Sequence, residues 1–285
     1  RGLLIDNSFE RWGINELKNW QNGLPNVPNP AMPAHKAHRP FELDGIYHFL
    51  PRTLAYSMAQ RPEEATQLIK DGTITNWVLK DYMDEDLTPS FVEKLESATL
   101  KSEKARDPDE VLLSHVLTIL DPSAPIRYKG FSYMPIAFGE ALITETVRDG
   151  DHRYLAESVM HEIPDGWIQI NEELRKSISV IDKVNFGRLW SHLQRTSFGY
   201  GIERCIYELN WDFPCQSPLF EKEYVVHIEN LLPALNNIEK NVDPETKLID
   251  REIAAFVAAR VRKSISQFLK DVADPDDAVS VLGSL

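Results

Sequence analysis

The sequence predicts a mainly α-helical fold, a multi-helical array with two small β-hairpins. Apolar residues recur at helical spacing, prolines repeatedly stand where a helix can begin, and two short segments alternate around a central glycine. A chain of 285 residues is long enough to bury a large core or to form two domains. We therefore expect helices packed on helices, with the hairpins as local additions.

The expected organisation has three parts. Residues 1–23 form an opening helix, residues 24–40 a linker, and residues 41–285 a helical domain, with two sub-units at 41–122 and 123–285 as an alternative. The linker is too rich in proline for a helix or an inner strand, and we expect an extended arm there. Its prolines are Pro25, Pro28, Pro30, Pro33 and Pro40.

Prolines also mark the expected helix starts in the main body. These are Pro51, Pro62, Pro89 and Pro108. Thr88 and Asp107 directly precede two of them and are expected to cap the first turn. The apolar residues between Ile202 and Leu209 lie on one helix face, and a longer apolar face from Ile249 to Leu269 predicts the last helix.

Two segments predict hairpins. Residues 40–49 alternate around Asp44-Gly45, and residues 125–134 alternate around Lys129-Gly130. Each places a proline five residues before a glycine, and each leads into a helix. We interpret them as two copies of one unit, about 85 residues apart in the sequence.

Charge and cysteine content narrow the classes of function. The chain carries 31 basic and 44 acidic residues, a net charge of -13, which disfavours binding to nucleic acid or to acidic membranes. Cys205 and Cys215 form no disulfide framework and suit a reducing cytoplasm. Charges interrupt the apolar stretches, so we expect no membrane span, and the start lacks the pattern of a signal peptide.

Phosphoryl transfer needs a glycine-rich loop, a lysine, a catalytic-loop aspartate and a metal-binding aspartate. The nearest matches are GYGIER at 199–204, HRY at 152–154 and DFP at 212–214. Each lacks a required residue, and their order fits no kinase. We therefore expect no catalytic residue and no bound cofactor in this chain.

Metal ligands are also not expected. His35, His38 and His48 could bind zinc, but no cysteine or carboxylate stands at a matching spacing. The acidic residues between Asp81 and Asp86 lack the central glycine and the terminal glutamate of a calcium loop. We interpret the first group as solvated arm residues and the second as a solvated helix end.

The possible nucleophiles of the sequence do not indicate a catalytic site either. Cys205 lies on the apolar face of its predicted helix, as a core cysteine does. Cys215 follows a turn and is expected to be more exposed, but no base is assigned to it. His161 and Glu162 resemble an acid–base pair, yet neighbouring residues of a helix do not face each other.

Residues 198–219 form the most distinctive segment, because glycines, aromatic residues, an arginine and two prolines fall within it. In one interpretation it is a recognition surface, with Arg204 and Trp211 as the anchors. In the other it is a tight helix–turn junction, in which Arg204 forms an ion pair with Glu203 or Glu208. The second interpretation is preferred.

The opening residues resemble the end of a protein-kinase catalytic domain. The resemblance rests on FERWG at residues 9–13, Glu16-Leu17 and Trp20. Residues 40–55 and 201–218 are similar to stretches in the C-terminal extensions of large bacterial Ser/Thr kinase-like proteins. The resemblance implies structural roles for Arg11 and Trp12. It also implies that Arg11 pairs with an activation-segment glutamate, which would lie upstream of this chain.

Three functions remain open. The leading hypothesis is a non-catalytic helical region that regulates a kinase, scaffolds it or recruits its substrates, with the kinase domain in cis, a substrate or a regulator as its protein partner. One alternative is a helical enzyme of the hydrolase type, with a site assembled from separated carboxylates and histidines. Another is an interaction module unrelated to kinases.

Overall fold

The computed structural model describes residues 12–24, 35–82, 88–174, 184–240 and 248–261. Within these ranges the chain forms thirteen α-helices and two separate two-stranded antiparallel sheets, so the prediction of a mainly helical fold is confirmed. Arg11, most of the predicted arm and the end of the last predicted helix lie outside the described residues.

The elements of the first half begin with a lone helix and a hairpin, followed by a group of helices. Their bounds are α1 Ile14–Gln21, β1 Phe41–Leu43, β2 Ile46–His48, α2 Pro51–Ala59, α3 Pro62–Lys70, α4 Thr73–Trp77, a π-helix Val78–Tyr82, α5 Thr88–Ser102 and α6 Pro108–Leu120. The expected starts at Pro51, Pro62 and Pro108 are confirmed, because each proline opens its helix.

The second half repeats the order of hairpin and helices. Its elements are β3 Ile126–Tyr128, β4 Phe131–Tyr133, a 3-10 turn Pro135–Ala137, α7 Phe138–Val147, α8 Arg153–Met160, α9 Ile163–Leu174, α10 Phe186–Leu193, α11 Ile202–Leu209, 3-10 turns Pro218–Phe220 and Ile228–Asn230, α12 Leu231–Glu239 and α13 Arg251–Val261. The predicted helix between Ile202 and Leu209 is confirmed.

Both predicted hairpins are present, and they share one geometry. Each pairs three residues with three across a two-residue turn. Asp44 and Gly45 both have positive φ, 51° and 71°, and so do Lys129 and Gly130, 47° and 81°. Two left-handed residues in succession form the type I′ turn, which matches the twist of paired strands. The two segments therefore correspond residue by residue.

The buried apolar side chains form two clusters that meet at α6. One cluster gathers residues from Ala37 to Leu120 together with Ile170 of α9, and the other gathers Val111 of α6 and residues from Ile126 to Ala259. Every residue of α6 from Val111 onward is buried, because helices of the first cluster cover one side and α9 with β3 cover the other. The boundaries of the predicted domains remain a prediction, since one helix serves both clusters.

Two local expectations change in the folded chain. Asp107 stands at the start of α6 but does not cap it; its carboxylate binds the ammonium of Lys129 instead. The end of the predicted arm is held against the body, because the Ala37 N–H donates to the Phe49 carbonyl at 2.9 Å. The extended arm therefore does not reach residue 40 as a free segment.

Candidate functional site

The opening helix leaves its apolar side chains in solvent. Arg11 lies outside the described residues, and Trp12 is half-buried just before α1. No residue of α1 is buried, and Trp20 is largely exposed. The structural roles expected for Arg11 and Trp12 therefore stay a prediction.

Arg204 lies inside the molecule rather than on its surface. Its Nε donates to Glu208 Oε2 at 3.1 Å, which is the second of the two ion pairs expected for it. Glu208 also binds Arg188 Nε at 2.6 Å and His192 Nε2 at 3.1 Å. Burial alone would raise the pKa of Glu208, but these hydrogen bonds and charges lower it. Glu203 pairs with Arg251 instead, at 2.8 Å.

Trp211 is 50% exposed, and its ring covers a buried cation. The guanidinium of Arg260 lies 4.7 Å from the centroid of the indole. Arg260 also donates through Nη1 to the Tyr207 carbonyl at 2.7 Å and through Nη2 to the Phe213 carbonyl at 3.1 Å. The first bond satisfies a carbonyl in the last turn of α11, where a helix leaves such groups without partners, and the second satisfies a carbonyl in the turn that follows. The contact favours the interpretation of this segment as a helix–turn junction.

Both cysteines are buried free thiols. Cys205 lies in the core, as expected, and burial raises its pKa. The expectation of a more exposed Cys215 is wrong. Its backbone N–H donates to the Val225 carbonyl at 2.8 Å, so a later segment covers it, and burial raises the pKa of its thiol to about 12. Neither thiol has the exposure or the depressed pKa of a nucleophile.

The histidines do not converge on a metal site. His35 Nε2 forms a hydrogen bond with the Tyr82 carbonyl, His38 is exposed, and His48 is buried under the first hairpin. Within the described ranges, no three His, Cys, Asp or Glu side chains come together in a way that could hold a metal ion. Asp81 lies in the π-helix, and the acidic residues that follow it lie outside the described residues.

His161 and Glu162 are not helical neighbours, so the reason given for setting them aside is wrong. They form the two-residue connection between α8 and α9, and Glu162 has a left-handed φ of 56°. The left-handed residue ends α8 and lets the chain turn into α9, and both residues line the same cavity. They flank a groove rather than forming an acid–base pair.

The strongest candidate for a contact surface lies on the first hairpin. We name the side chains of Ile46, Tyr47 and Phe49 the hairpin-1 edge. Their exposed fractions are 54%, 61% and 43%. The inner face of the same hairpin is filled by Phe41, whose ring lies 5.8 Å from that of a buried tryptophan on α4. Tyr47 points to the opposite face of the hairpin, whereas Ile46 shares a face with its partner Leu43 but remains exposed beside the turn.

The second hairpin provides an internal comparison. Its counterparts of the hairpin-1 edge are Phe131, Ser132 and Met134. Phe131 is half-buried, with its ring 5.9 Å from that of Tyr154, and Met134 is half-buried against the second core. Ser132 is exposed but polar. The same backbone therefore exposes three apolar side chains in one copy and none of that kind in the other.

The hairpin-1 edge was not among the residues singled out in the sequence. An alignment of the two hairpin segments carries the signal, because Tyr47 aligns with Ser132 at an outward position. An outward position tolerates either residue, so the aromatic side chain is not required for folding.

No protein-family model, no curated protein and no solved structure matches this chain. Across the described part of the chain, no helix has both the length and the apolar character needed to cross a membrane.

Proposed function

We propose that this chain is a non-catalytic protein-interaction region whose contact surface is the hairpin-1 edge. The observation that carries the proposal is the contrast between the two hairpins. Three apolar side chains close together in the sequence are exposed where the matching positions are half-buried or polar. Such a cluster is typical of a surface that a partner covers.

The energetics favour coverage by a partner. Burying a large apolar side chain contributes about 1.5–3 kcal/mol, and roughly half of each of these three side chains remains exposed. A partner that covers the hairpin-1 edge therefore gains a few kcal/mol from hydrophobic burial. Tyrosine and phenylalanine add contact area at a low cost in side-chain entropy.

The identity of the partner is proposed from the resemblance of the opening residues. We place the chain beside a bacterial Ser/Thr kinase-like protein, as a region that regulates or scaffolds the kinase or recruits its substrates, in the cytoplasm. The two free thiols suit a reducing compartment. The proposed link to a kinase predicts that a glycine loop, a lysine-bearing strand and a catalytic-loop aspartate are encoded directly upstream of Arg1. A start codon or a signal peptide in that place overturns it.

The interaction itself is tested with a double variant, Ile46→Ser with Tyr47→Ser. The matched control is Ile136→Ser, because Ile136 is 55% exposed and lies after the other hairpin. Calorimetry measures binding to the separately produced kinase domain of the parent protein. We expect the double variant to weaken binding at least about tenfold and the control to leave it unchanged. Equal affinities for all three proteins contradict the proposal.

The proposal that the chain is non-catalytic is tested by a separate measurement. Calorimetric titration of the chain with ATP and Mg²⁺ is expected to give no binding heat, because no phosphate-binding loop with its lysine is present in the sequence. Saturable nucleotide binding would contradict it.

A further inference from the structure

A groove with an unusual floor lies on the side of the molecule formed by α5, α6, α9 and the α8–α9 connection. We name it the α5–α9 groove. It consists of two cavities of about 350 and 590 Å³. Both are lined by Glu93, Ser97 and Lys101, so they adjoin along α5. Cavities of this size are typical of small-molecule sites.

The floor of the inner cavity includes a buried imidazole. His115 on α6 is 4% exposed, and its Nε2 is enclosed without a hydrogen-bond partner among the described residues. A buried polar group without a partner costs about 1–3 kcal/mol. Folding therefore gives no reason for a histidine at this position, and an aliphatic side chain would fill it better.

The facing helix is adapted to this ring. Gly166 lies in the first turn of α9, where glycine is less favourable than alanine by about 1 kcal/mol. A Cβ at Gly166 would lie 3.0 Å from His115 Cε1 and 3.1 Å from Nδ1, closer than most real contacts. The glycine therefore admits the imidazole to the helix contact. Two unfavourable residues face each other at the floor of a cavity.

Charged side chains surround the groove. Lys101 on α5 and Lys104 in the turn after it line the groove and form no ion pair within the described part of the chain. The carboxylates of Glu93, Glu96 and Glu162 lie along its outer part. The cations thus have no fixed partner, although acidic groups flank the opening.

Burial and nearby positive charge both act against protonation of the imidazole. Burial, which is the largest cause, and the charges of Lys101 and His161 together lower the pKa of His115 to about 4. Burial and the charge of Glu162 raise the pKa of Asp165. The charge of Lys101 acts in the opposite direction and lowers it. The imidazole is therefore neutral at pH 7, close to cations that repel a proton and attract an anion.

We propose that the α5–α9 groove binds a small molecule with an oxyanion head group, a phosphate or a carboxylate. The head group lies between His115 and Lys101, and an apolar portion packs on Ala98 and Ile170, which line the same cavity. The ligand then supplies the hydrogen-bond partner that the protein does not give the imidazole. This site is independent of the hairpin-1 edge.

Calorimetry on the full chain tests the site with three probes: inorganic phosphate, phenyl phosphate and phenylacetate. Titrations at pH 5.5 and constant ionic strength, in two buffers of different ionisation enthalpy, measure proton uptake. An anion beside His115 raises the pKa of the imidazole, so we expect binding to take up protons. Tighter binding of phenyl phosphate or of phenylacetate assigns the head group.

Three variants locate the binding. We expect Lys101→Met and His115→Gln each to weaken it at least about tenfold, since the first removes the cation beside the anion and the second removes the ring that takes up a proton. His115→Gln also removes the dependence on buffer. The matched control is Lys222→Met, because Lys222 is exposed and distant in sequence from the groove elements, and it should bind as the unaltered chain does.

Two outcomes overturn the proposal. One is the absence of binding heat for all three probes at about 10 mM. The other is an equal loss of affinity in Lys101→Met and Lys222→Met, which indicates attraction to surface charge alone. Circular dichroism verifies the fold of each variant. If His115→Gln does not fold, Lys101→Met decides the matter, because Lys101 is an exposed residue of α5.

Discussion

The replacement of His115 by leucine is expected to change how the stability of the protein depends on pH. His115 is buried against α9, and its Nε2 has no partner in the described part of the chain. Leucine has a similar volume and cannot take up a proton. We expect His115→Leu to be at least as stable as the unaltered protein at pH 7.5, because the variant removes an unsatisfied polar group.

The direction and the size of the change in the free energy of unfolding follow from the pKa values of His115 in the folded and unfolded chain. In the unfolded chain the pKa of His115 is 6.5, and in the folded chain it is about 4. The unfolded state binds more protons between these values, so the free energy of unfolding falls as the pH falls, and the loss is complete below pH 4. The loss from this group is about 2 kcal/mol at pH 5 and about 3 kcal/mol at pH 4.

Urea unfolding at closely spaced pH values from 4 to 7.5 measures the effect. The carboxylates contribute to acid unfolding in both proteins, so the difference in unfolding free energy between the two isolates His115. Lys101 on α5 and His161 beside α9 act on the imidazole and remain in both. A difference that stays constant from pH 7.5 to pH 4 refutes the argument that a neutral imidazole is buried here.

Three further substitutions test other contacts by urea unfolding. Arg260→Lys is expected to cost about 2 kcal/mol or more, because lysine lacks the forked guanidinium that binds the carbonyls of Tyr207 in α11 and of Phe213 in the turn after it. Tyr207→Phe is expected to cost about 1–3 kcal/mol, because its hydroxyl donates to Glu252 at 2.5 Å. Gly166→Ala is expected to destabilise the unaltered protein but to stabilise the His115→Ala variant by about 1 kcal/mol, since only the imidazole prevents the gain in helix propensity. If Gly166→Ala changes the free energy of unfolding in the same direction in the unaltered protein and in the His115→Ala variant, the proposed packing is contradicted.

Features specified by neighbouring residues were predictable from the sequence. A proline just after a polar residue opens α6, and a two-residue turn ending in glycine fixes each hairpin. Both signals act within one turn of the chain, where Pro108 or Gly45 restricts the backbone directly. The helices and hairpins therefore follow from short windows of sequence.

Features that depend on distant residues were not predictable. Asp107 carries the side chain of a helix cap, but the ammonium of Lys129 lies within reach and binds it. Cys215 follows a turn, but the segment that includes Val225 covers it. The hairpin-1 edge and the α5–α9 groove likewise arise only when separate elements meet. Local propensity contains no information on such contacts.

The polar residues of α6 connect the fold to the groove. A helix enclosed by two cores gains most from an apolar surface on every side. Thr118 avoids a penalty, because its hydroxyl donates to the carbonyl of Ser114 at 3.0 Å. His115 has no comparable local partner, and Gly166 on α9 provides the space for its ring.

An apolar residue opposite alanine would make a better helix contact than His115 opposite Gly166. The less favourable pair lines the same cavity as Lys101. Folding explains neither residue, whereas binding of an anion explains both. If His115→Leu proves less stable than the unaltered protein at pH 7.5, the imidazole has a structural role, and the argument for a ligand loses its main support.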